Sequence, residues 1–159
     1  DISAKLSALK AKKVFEGALD TVVFDTPDGK FKREGLFLRV RREGDGVRIC
    51  FKGKTEKSHL KIRDEIEVIA DSWDNACRLL EGLGYVRVFE YAKRRESYKL
   101  GAAKVDLDTY EGVPTYVEIE APSEKEVEHA VALLGFSMKQ TTNMSASELL
   151  RKRGIKTMD

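Results

Sequence analysis

The sequence predicts an α+β domain in which helices pack under the apolar face of an antiparallel sheet. Two observations favour this class. Runs rich in β-branched and aromatic residues follow one another with short glycine-containing turns between them. Runs with helical apolar spacing stand at the start, the middle and the end of the chain. The 159 residues are 42% hydrophobic, which suits a sizeable core, so we expect a single domain over residues 1–159.

Four segments have the spacing and the end signals of helices. Residues 2–11 place Ile2, Leu6 and Leu9 on one face, with a capping residue available at the start. The third segment opens with a Ser-x-x-Glu capping box, and the second ends at a glycine that can stop a helix. The predicted helices are 2–11, 72–84, 123–135 and 145–154.

Strand-forming runs occupy the segments between these helices. The first run ends in a Pro-Asp-Gly turn, and a hairpin is predicted around the turn Gly44-Asp45-Gly46. Short turns at Gly101 and at Gly112-Val113-Pro114 separate the last three runs. The predicted strand segments are 21–29, the hairpin 35–54, 59–70, 88–100, 102–112 and 115–122.

Most of these strands have one apolar and one charged face, because successive side chains of a strand point to opposite sides. The charged faces are sorted by strand: those of 36–54 and 91–97 are basic, whereas those of 104–110 and 115–120 are mostly acidic. An open sheet with a solvated charged face remains the alternative, although solvation alone does not require such sorting. Closed into a barrel with these faces inward, the strands would suit a polyphosphate bound together with a divalent cation.

The overall composition argues against several classes of function. The formal net charge of +2 provides no global electrostatic attraction to nucleic acid or to a membrane, so neither partner is expected. No apolar run approaches a membrane span, and no signal-peptide pattern opens the sequence. Two cysteines are too few for a disulfide framework, and we expect both to be ordinary packing residues. We therefore expect a soluble, cytoplasmic protein.

Seven short segments occur in a fixed order: FDTPDG, LRVRR, FKGK, RDEIEV, YAKRRESY, VDLDTYEG and TYVEIE, followed by SASELL. Together they resemble the CYTH superfamily of triphosphate tunnel metalloenzymes, which includes class IV adenylate cyclases, thiamine triphosphatases and inorganic triphosphatases. The resemblance covers nearly all of residues 14–150. It implies an eight-stranded antiparallel β-barrel, the triphosphate tunnel, with flanking helices.

The resemblance also implies roles for individual residues. Basic side chains of the tunnel bind the triphosphate, and acidic ones belong to the side that binds Mg²⁺ or Mn²⁺. Three further residues, Arg48, Lys54 and Asp106, share the strand parity and are expected in supporting positions. The motifs identify no residue for the chemical step itself. The implied phosphate-binding residues are Arg39, Arg41, Lys52, Arg63, Lys93 and Arg95, and the implied metal-site residues are Glu65, Glu67, Asp108, Glu118 and Glu120.

The first strand of the family, which carries Glu-x-Glu-x-Lys, has no counterpart in this sequence. The chain starts at the helix that should follow that strand, and RDEIEV cannot replace it because this segment matches a different strand. A barrel without the first strand would have an unpaired edge. We expect that strand to lie outside the given sequence, and we expect weakened activity if the protein lacks it.

The resemblance leaves the activity open among three alternatives. We favour metal-dependent hydrolysis of tripolyphosphate, thiamine triphosphate or a nucleoside triphosphate such as ATP, because no distinctive nucleobase pocket is evident in the sequence. A class IV adenylate cyclase that forms cyclic AMP from ATP is the first alternative. A non-catalytic domain that binds polyphosphate or nucleotides is the second. The expected partner is thus a small-molecule triphosphate, and a homodimer is left open.

Overall fold

The computed structural model of the chain describes residues 1–54, 64–144 and 146–152. These residues form an α+β fold with seven strands, five α-helices and one short 3₁₀ helix at Met138–Gln140. No helix in the described ranges is long and apolar enough to cross a membrane. The α-helices are α1 Ile2–Ala8, α2 Lys30–Glu34, α3 Trp73–Gly82, α4 Glu124–Leu133 and α5 Ala146–Lys152. The strands are β1 Lys12–Asp25, β2 Phe37–Glu43, β3 Gly46–Lys52, β4 Glu65–Ala70, β5 Val86–Leu100, β6 Ala103–Thr109 and β7 Tyr116–Glu120.

The strands belong to one sheet, in the order β4-β3-β2-β1-β5-β6-β7. The pairs β1–β2, β2–β3, β3–β4, β5–β6 and β6–β7 are antiparallel, as the sequence predicts. Among the described residues, β4 and β7 are the two terminal strands of this order. The predicted antiparallel α+β class is confirmed, whereas the eight-stranded closed barrel is not.

The chain divides into two compact units, and the long strands β1 and β5 each contribute to both. The first unit comprises Asp1–Gly17 and Lys93–Asn143, and the second comprises Ala18–Ala92 with the segment from Met144 onward. Each unit has its own apolar core on the side of the strands opposite to the charged residues. The first core contains Leu6, Tyr98, Leu100, Val105, Leu107 and Leu134. The second contains Val22, Phe24, Leu38, Val40, Val47, Ala76, Cys77 and Leu80.

In the first unit, α4 packs on β6 and β7 and Leu6 of α1 belongs to the core. Ser123 caps α4 by accepting a hydrogen bond from the backbone N–H of Glu126, which confirms the predicted start of that helix. The apolar Val105 and Leu107 alternate along β6 with charged residues. The strand parity read from the sequence therefore separates the core from the charged face.

In the second unit, α3 packs on β2, β3 and β4 within the predicted helix 72–84, and Ser72 caps it by accepting a hydrogen bond from the backbone N–H of Asn75. The hairpin is confirmed, since pairing of Glu43 with Gly46 leaves a two-residue turn, and Gly44 has the positive φ of 59° that favours glycine. The start of β1 was predicted wrongly, since the strand begins at Lys12 rather than at residue 21. The helix α2 was not predicted. The carboxylate of Asp25 makes α2 possible by accepting hydrogen bonds from two backbone N–H groups of its first turn.

Candidate functional site

The charged face of β2, β3 and β4 in the second unit carries a group of side chains that we call the basic cluster. Directly opposed residues of antiparallel strands share a face, and the register opposes Arg39 to Cys50 and Cys50 to Glu67. The same register opposes Lys52 to Glu65. The side chains predicted to share one face of each strand therefore form one surface across β2, β3 and β4. The basic cluster consists of Arg39, Arg41, Glu43, Arg48, Cys50, Lys52, Glu65 and Glu67.

Cations outnumber carboxylates in the basic cluster, with four basic side chains against three acidic ones. Each of the three carboxylates already contacts at least one of these cations. Within this described group, the surplus positive charge therefore has no further carboxylate to neutralise it. The surface therefore favours an anionic ligand. The ion pairs are Lys52–Glu65 at 2.7 Å, Arg48–Glu67 at 2.9 Å, Arg41–Glu43 at 3.2 Å and Arg41–Glu67 at 3.6 Å.

Arg39 is a half-buried cation of this cluster. Burial by itself lowers the pKa of its guanidinium, but Tyr91, Cys50 and Glu65 nearby outweigh that effect, so the pKa is raised and the group stays charged. Its Nε is buried and has no hydrogen-bond partner. A buried donor of this kind is satisfied by an oxygen of a bound anion, which is the role that the resemblance implies for Arg39.

Cys50, Glu65 and Glu67 bring three potential metal-ligand atoms within 4.8 Å of one another. The Cys50 thiol donates to Oε1 of Glu65 at 3.0 Å, and burial raises its pKa to about 11, so it keeps its proton at neutral pH. Burial also opposes ionisation of Glu65, but hydrogen bonds from Cys50 and Lys52 lower the pKa of that carboxyl to about 2. The carboxylates are thus engaged by a thiol and by cations. Their predicted role as metal ligands stays a prediction, and Cys50 is part of a polar cluster rather than an ordinary packing residue.

The charged face of β5, β6 and β7 in the first unit carries a second group, which we call the acidic cluster. The register opposes Arg95 to Asp108 and Asp106 to Glu118, which places these side chains on one face. Here four carboxylates stand against three cations, so the surplus charge is negative. The acidic cluster consists of Lys93, Arg95, Lys104, Asp106, Asp108, Glu118 and Glu120.

Arg95 is the centre of the acidic cluster and is only 6% exposed. Its Nε donates to Oδ1 of Asp108 at 2.6 Å, and its Nη2 donates to Oδ2 of the same carboxylate at 2.5 Å. Nη1 lies 2.5 Å from Oδ2 of Asp106, and Nη2 lies 3.0 Å from Oε2 of Glu118. Burial alone lowers the pKa of the guanidinium, but the two aspartates outweigh it and raise that pKa. Three carboxylates therefore engage Arg95.

The two buried aspartates of β6 differ in how many of their oxygens are engaged. Both oxygens of Asp108 accept hydrogen bonds, since Lys93 also donates to Oδ2 at 2.6 Å. Asp106 uses only Oδ2, which contacts Arg95 and Lys104, while its buried Oδ1 has no partner. Unbonded carboxylate oxygens are the ligands that Mg²⁺ and Mn²⁺ prefer. Asp106 therefore fits a divalent cation better than Asp108 does.

Glu118 and Glu120 complete the acidic cluster at its exposed side. Their side chains are 45% and 56% exposed, and Glu118 faces Asp106 across the β6–β7 pair. Strand register places Asp106, Glu118 and Glu120 on one face, but the ligand atoms that lie within 4.8 Å of one another among the described residues are those of Cys50, Glu65 and Glu67, so a joint metal site at the acidic cluster stays a prediction. Strand parity already placed Asp106 on this face, but its motif match ranked it behind Asp108. The free oxygen that distinguishes it is a property of the folded chain.

Two predicted residues are not assigned to either cluster. Arg63 lies outside the described residues, so its implied role in phosphate binding stays a prediction. Lys54 is exposed just beyond the end of β3. The remaining implied residues fall into either the basic or the acidic cluster.

Residues 2–146, which contain both clusters, match the family model described as the CYTH domain. The chain belongs to the CYTH family. The resemblance carried by the seven ordered motifs is thereby confirmed. Because the match covers most of the chain, the elements that carry the two clusters are parts of the CYTH domain.

Relatives of this CYTH chain have names that refer to two activities. The chain is 26% identical over 154 residues to a Methanocaldococcus jannaschii protein provisionally named an adenylate cyclase, covering 93% of this chain and 83% of that protein. It is 31% identical over 104 residues to adenylate cyclase CyaB of Aeromonas hydrophila, covering 65% of this chain but only 52% of that protein. A solved Hippeastrum structure has a TM-score of 0.68 at 16% identity, covering 98% of this chain and 91% of that one. That Hippeastrum protein is provisionally named an adenylyl cyclase and is described as having a dominant triphosphatase activity. At 16% identity this likeness concerns the fold alone.

Proposed function

We propose that this CYTH chain is a metal-dependent triphosphatase that hydrolyses inorganic tripolyphosphate, thiamine triphosphate or a nucleoside triphosphate. The observation that carries the proposal is the sorting of charge into a basic cluster with surplus cations and an acidic cluster with surplus carboxylates. A triphosphate needs the first kind of surface, and a divalent cation needs the second. The eight-stranded tunnel and a single domain over residues 1–159 form part of the proposal.

The basic cluster contributes charge neutralisation and positioning of the substrate. Arg39 and Arg41 present planar guanidinium groups that suit phosphate oxygens, and Lys52 adds an ammonium group as a point charge. Arg41 and Lys52 are held by neighbouring carboxylates before any ligand arrives, so these two groups need little reorganisation on binding. Hydrolysis of a triphosphate depends chiefly on such positioning and electrostatic stabilisation.

The acidic cluster supplies the oxygens for Mg²⁺ or Mn²⁺. Asp106, Glu118 and Glu120 are the proposed ligands, with Glu65 and Glu67 kept as further predicted metal-site residues. A bound divalent cation would polarise a phosphoryl oxygen and neutralise charge that develops during hydrolysis. Lys93 and Arg95 are kept as predicted phosphate-binding residues, and they also limit the negative charge that the cluster carries when no metal is bound.

A class IV adenylate cyclase is the second candidate, favoured by the names of the Methanocaldococcus and Aeromonas relatives. Cyclisation uses the same cationic surface and the same cations, but it aims the ribose 3′-hydroxyl at the α-phosphorus instead of water at the terminal phosphorus. Hydrolysis remains our preference, since the described clusters contain groups for phosphate and metal but no assembled pocket for a nucleobase.

The deciding experiment measures products from tripolyphosphate, thiamine triphosphate and ATP with Mg²⁺ or Mn²⁺. We expect phosphate release from at least one of the three and no cyclic AMP. Cyclic AMP and pyrophosphate from ATP would instead identify a cyclase. Binding of tripolyphosphate without any product, with either metal, would identify a non-catalytic binding domain.

Arg41→Ala tests the basic cluster directly. Because one charge-assisted contact contributes about 1.5–3 kcal/mol, we expect the variant to bind tripolyphosphate roughly ten- to a hundred-fold more weakly in calorimetric titrations. Arg42→Ala is the matched control: Arg42 is the next residue of β2, is exposed on the opposite face, and bonds Asp20 at 2.7 Å. Its loss should change the affinity by no more than about two-fold, because salt screens an exposed charge. Equal losses of tripolyphosphate affinity in both variants would show that the basic cluster is not the anion-binding site.

A further inference from the structure

We propose that Asp108 is a buried counter-ion that positions Lys93 and Arg95, and that it is not a ligand of the divalent cation. This inference rests on the proposed function, because it assigns Asp108 to the anion-binding cations instead of to the metal. It reverses the role that the family resemblance implies for this residue. Three features of the cluster support this role: the occupied oxygens of Asp108, the charge around it, and the contrast with Asp106.

The carboxylate of Asp108 is fully committed to nitrogen donors. Its side chain is 0% exposed, and it accepts three hydrogen bonds of 2.5–2.6 Å from Lys93 and Arg95. A divalent cation coordinated at a typical distance of about 2.1 Å would therefore lie within roughly 5 Å of both cationic groups. Like charges at such a distance repel strongly in a buried environment. Metal binding at Asp108 would require at least one of these two cations to leave.

The buried part of the cluster is already neutral without a metal. Two cations, Lys93 and Arg95, stand against two carboxylates, Asp106 and Asp108, and all four side chains are buried. Lys93 donates to Oδ2 of Asp108 at 2.6 Å, and Arg95 donates to both oxygens of the same carboxylate. Without the Asp108 carboxylate, Lys93 and Arg95 would be two buried cations with Asp106 as the one buried carboxylate in this group. Asp108 thus holds both cations in fixed positions on β5.

Asp106 provides the internal comparison. It lies two residues away on the same strand and the same face, but its buried Oδ1 has no partner. It also faces Glu118 across the β6–β7 pair, whereas Asp108 faces Tyr116. The two aspartates therefore share a strand and a face but differ in their cross-strand neighbours and in their free oxygens. This difference allows their roles to be separated by one matched pair of variants.

The experiment compares Asp108→Asn with Asp106→Asn by two titrations, tripolyphosphate binding without metal and Mn²⁺ binding without tripolyphosphate. For Asp108→Asn we expect tripolyphosphate affinity to fall at least about ten-fold, as for loss of a charge-assisted contact, and Mn²⁺ affinity to stay within about two-fold. For Asp106→Asn we expect the larger loss in Mn²⁺ affinity. A ten-fold loss of Mn²⁺ affinity in Asp108→Asn with unchanged tripolyphosphate binding would overturn the proposal.

A third readout is independent of the proposed function. The Nε–H of Arg95 should give a slowly exchanging signal in ¹⁵N NMR of the parent protein, because it donates to a buried carboxylate. Asp108→Asn should shift that signal and speed its exchange. If the parent protein binds no tripolyphosphate, the proposed function fails, and the NMR signal together with Mn²⁺ binding still decides the role of Asp108. An unchanged signal in Asp108→Asn would contradict positioning.

The double variant Asp108→Asn/Lys93→Met covers the case in which the single variant does not fold. It removes one buried anion and one buried cation, so the charge balance of the cluster is kept. We expect its Mn²⁺ affinity to remain within about two-fold of the parent, since no metal ligand has been removed. A loss of ten-fold or more would show that Asp108 contributes to the metal site.

Discussion

Replacing Arg95 by methionine is expected to lower the free energy of unfolding at pH 7 by about 3–5 kcal/mol, the usual effect of removing one partner from a buried ion pair. The substitution leaves the carboxylates of Asp106 and Asp108 buried on one face of β6 with Lys93 as their remaining buried cation. Urea denaturation measures the loss. The control is Arg94→Met. Arg94 directly precedes Arg95, and its exposed side chain lies on the opposite face of β5, so this substitution should change the free energy of unfolding by less than about 0.5 kcal/mol.

The pH dependence makes this prediction more specific. In the parent protein, burial opposes ionisation of Asp108, but Arg95 and Lys93 outweigh it and hold the pKa of Asp108 below its ordinary value of 3.8. A depressed pKa contributes stability that is present above the unfolded value and is lost as the pH falls through the folded value. In Arg95→Met we expect burial and the neighbouring carboxylate to raise the pKa of Asp108. A raised pKa contributes stability that is present below the unfolded value and is lost as the pH rises through the folded value.

The stability difference between parent and Arg95→Met should therefore shrink as the pH is lowered from 7 towards 4. Urea titrations at several pH values in that interval measure it. A difference that stays constant, or one that grows towards acid, would mean that Arg95 is not the main counter-ion of these two aspartates.

Glu118→Gln is expected to have the largest effect on activity. The change keeps the size of the side chain and removes the negative charge that a hard divalent cation prefers. Changes in groups that only support metal ligands already cost roughly 10–100-fold, so we expect at least that shift in the metal concentration for half-maximal tripolyphosphate hydrolysis. Folding should change little, because the side chain is 45% exposed and clustered carboxylates repel each other. Binding of tripolyphosphate without metal should persist, since the basic cluster is unaltered.

Glu111→Gln is the matched control for that substitution. Glu111 is an exposed carboxylate in the turn between β6 and β7, and it is not part of the acidic cluster. Its Mg²⁺ and Mn²⁺ dependence should match that of the parent. If the metal titrations of Glu118→Gln and of the parent coincide, Glu118 does not bind the metal, and the charged face of β7 is simply a solvated face.

The predicted fold was most accurate where local chemistry decides the structure. The helix starting at the Ser72 cap, the hairpin turn at Gly44 and the strands of the acidic face were all predicted. The start of β1 was missed because residues 12–20 alternate weakly, and the strand is fixed by neighbouring strands of the sheet, with β2 pairing Leu19 and Asp20. The short helix α2 was missed because its first turn depends on the Asp25 carboxylate. In both cases the deciding contacts are made by other parts of the chain.

The sequence by itself determined which residues share a face and, through its ordered motifs, the CYTH family. Side-chain direction in a strand repeats every two residues for local steric reasons, so Glu118 and Glu120 had to lie together. Only the tertiary structure decided which partners each charge meets. Lys93 and Arg95 bond Asp108, 15 and 13 residues away, and these contacts depend on the register of β5 against β6. Strand parity predicts the same face for Asp106 and Asp108, but it cannot predict which of their carboxylate oxygens lacks a hydrogen-bond donor.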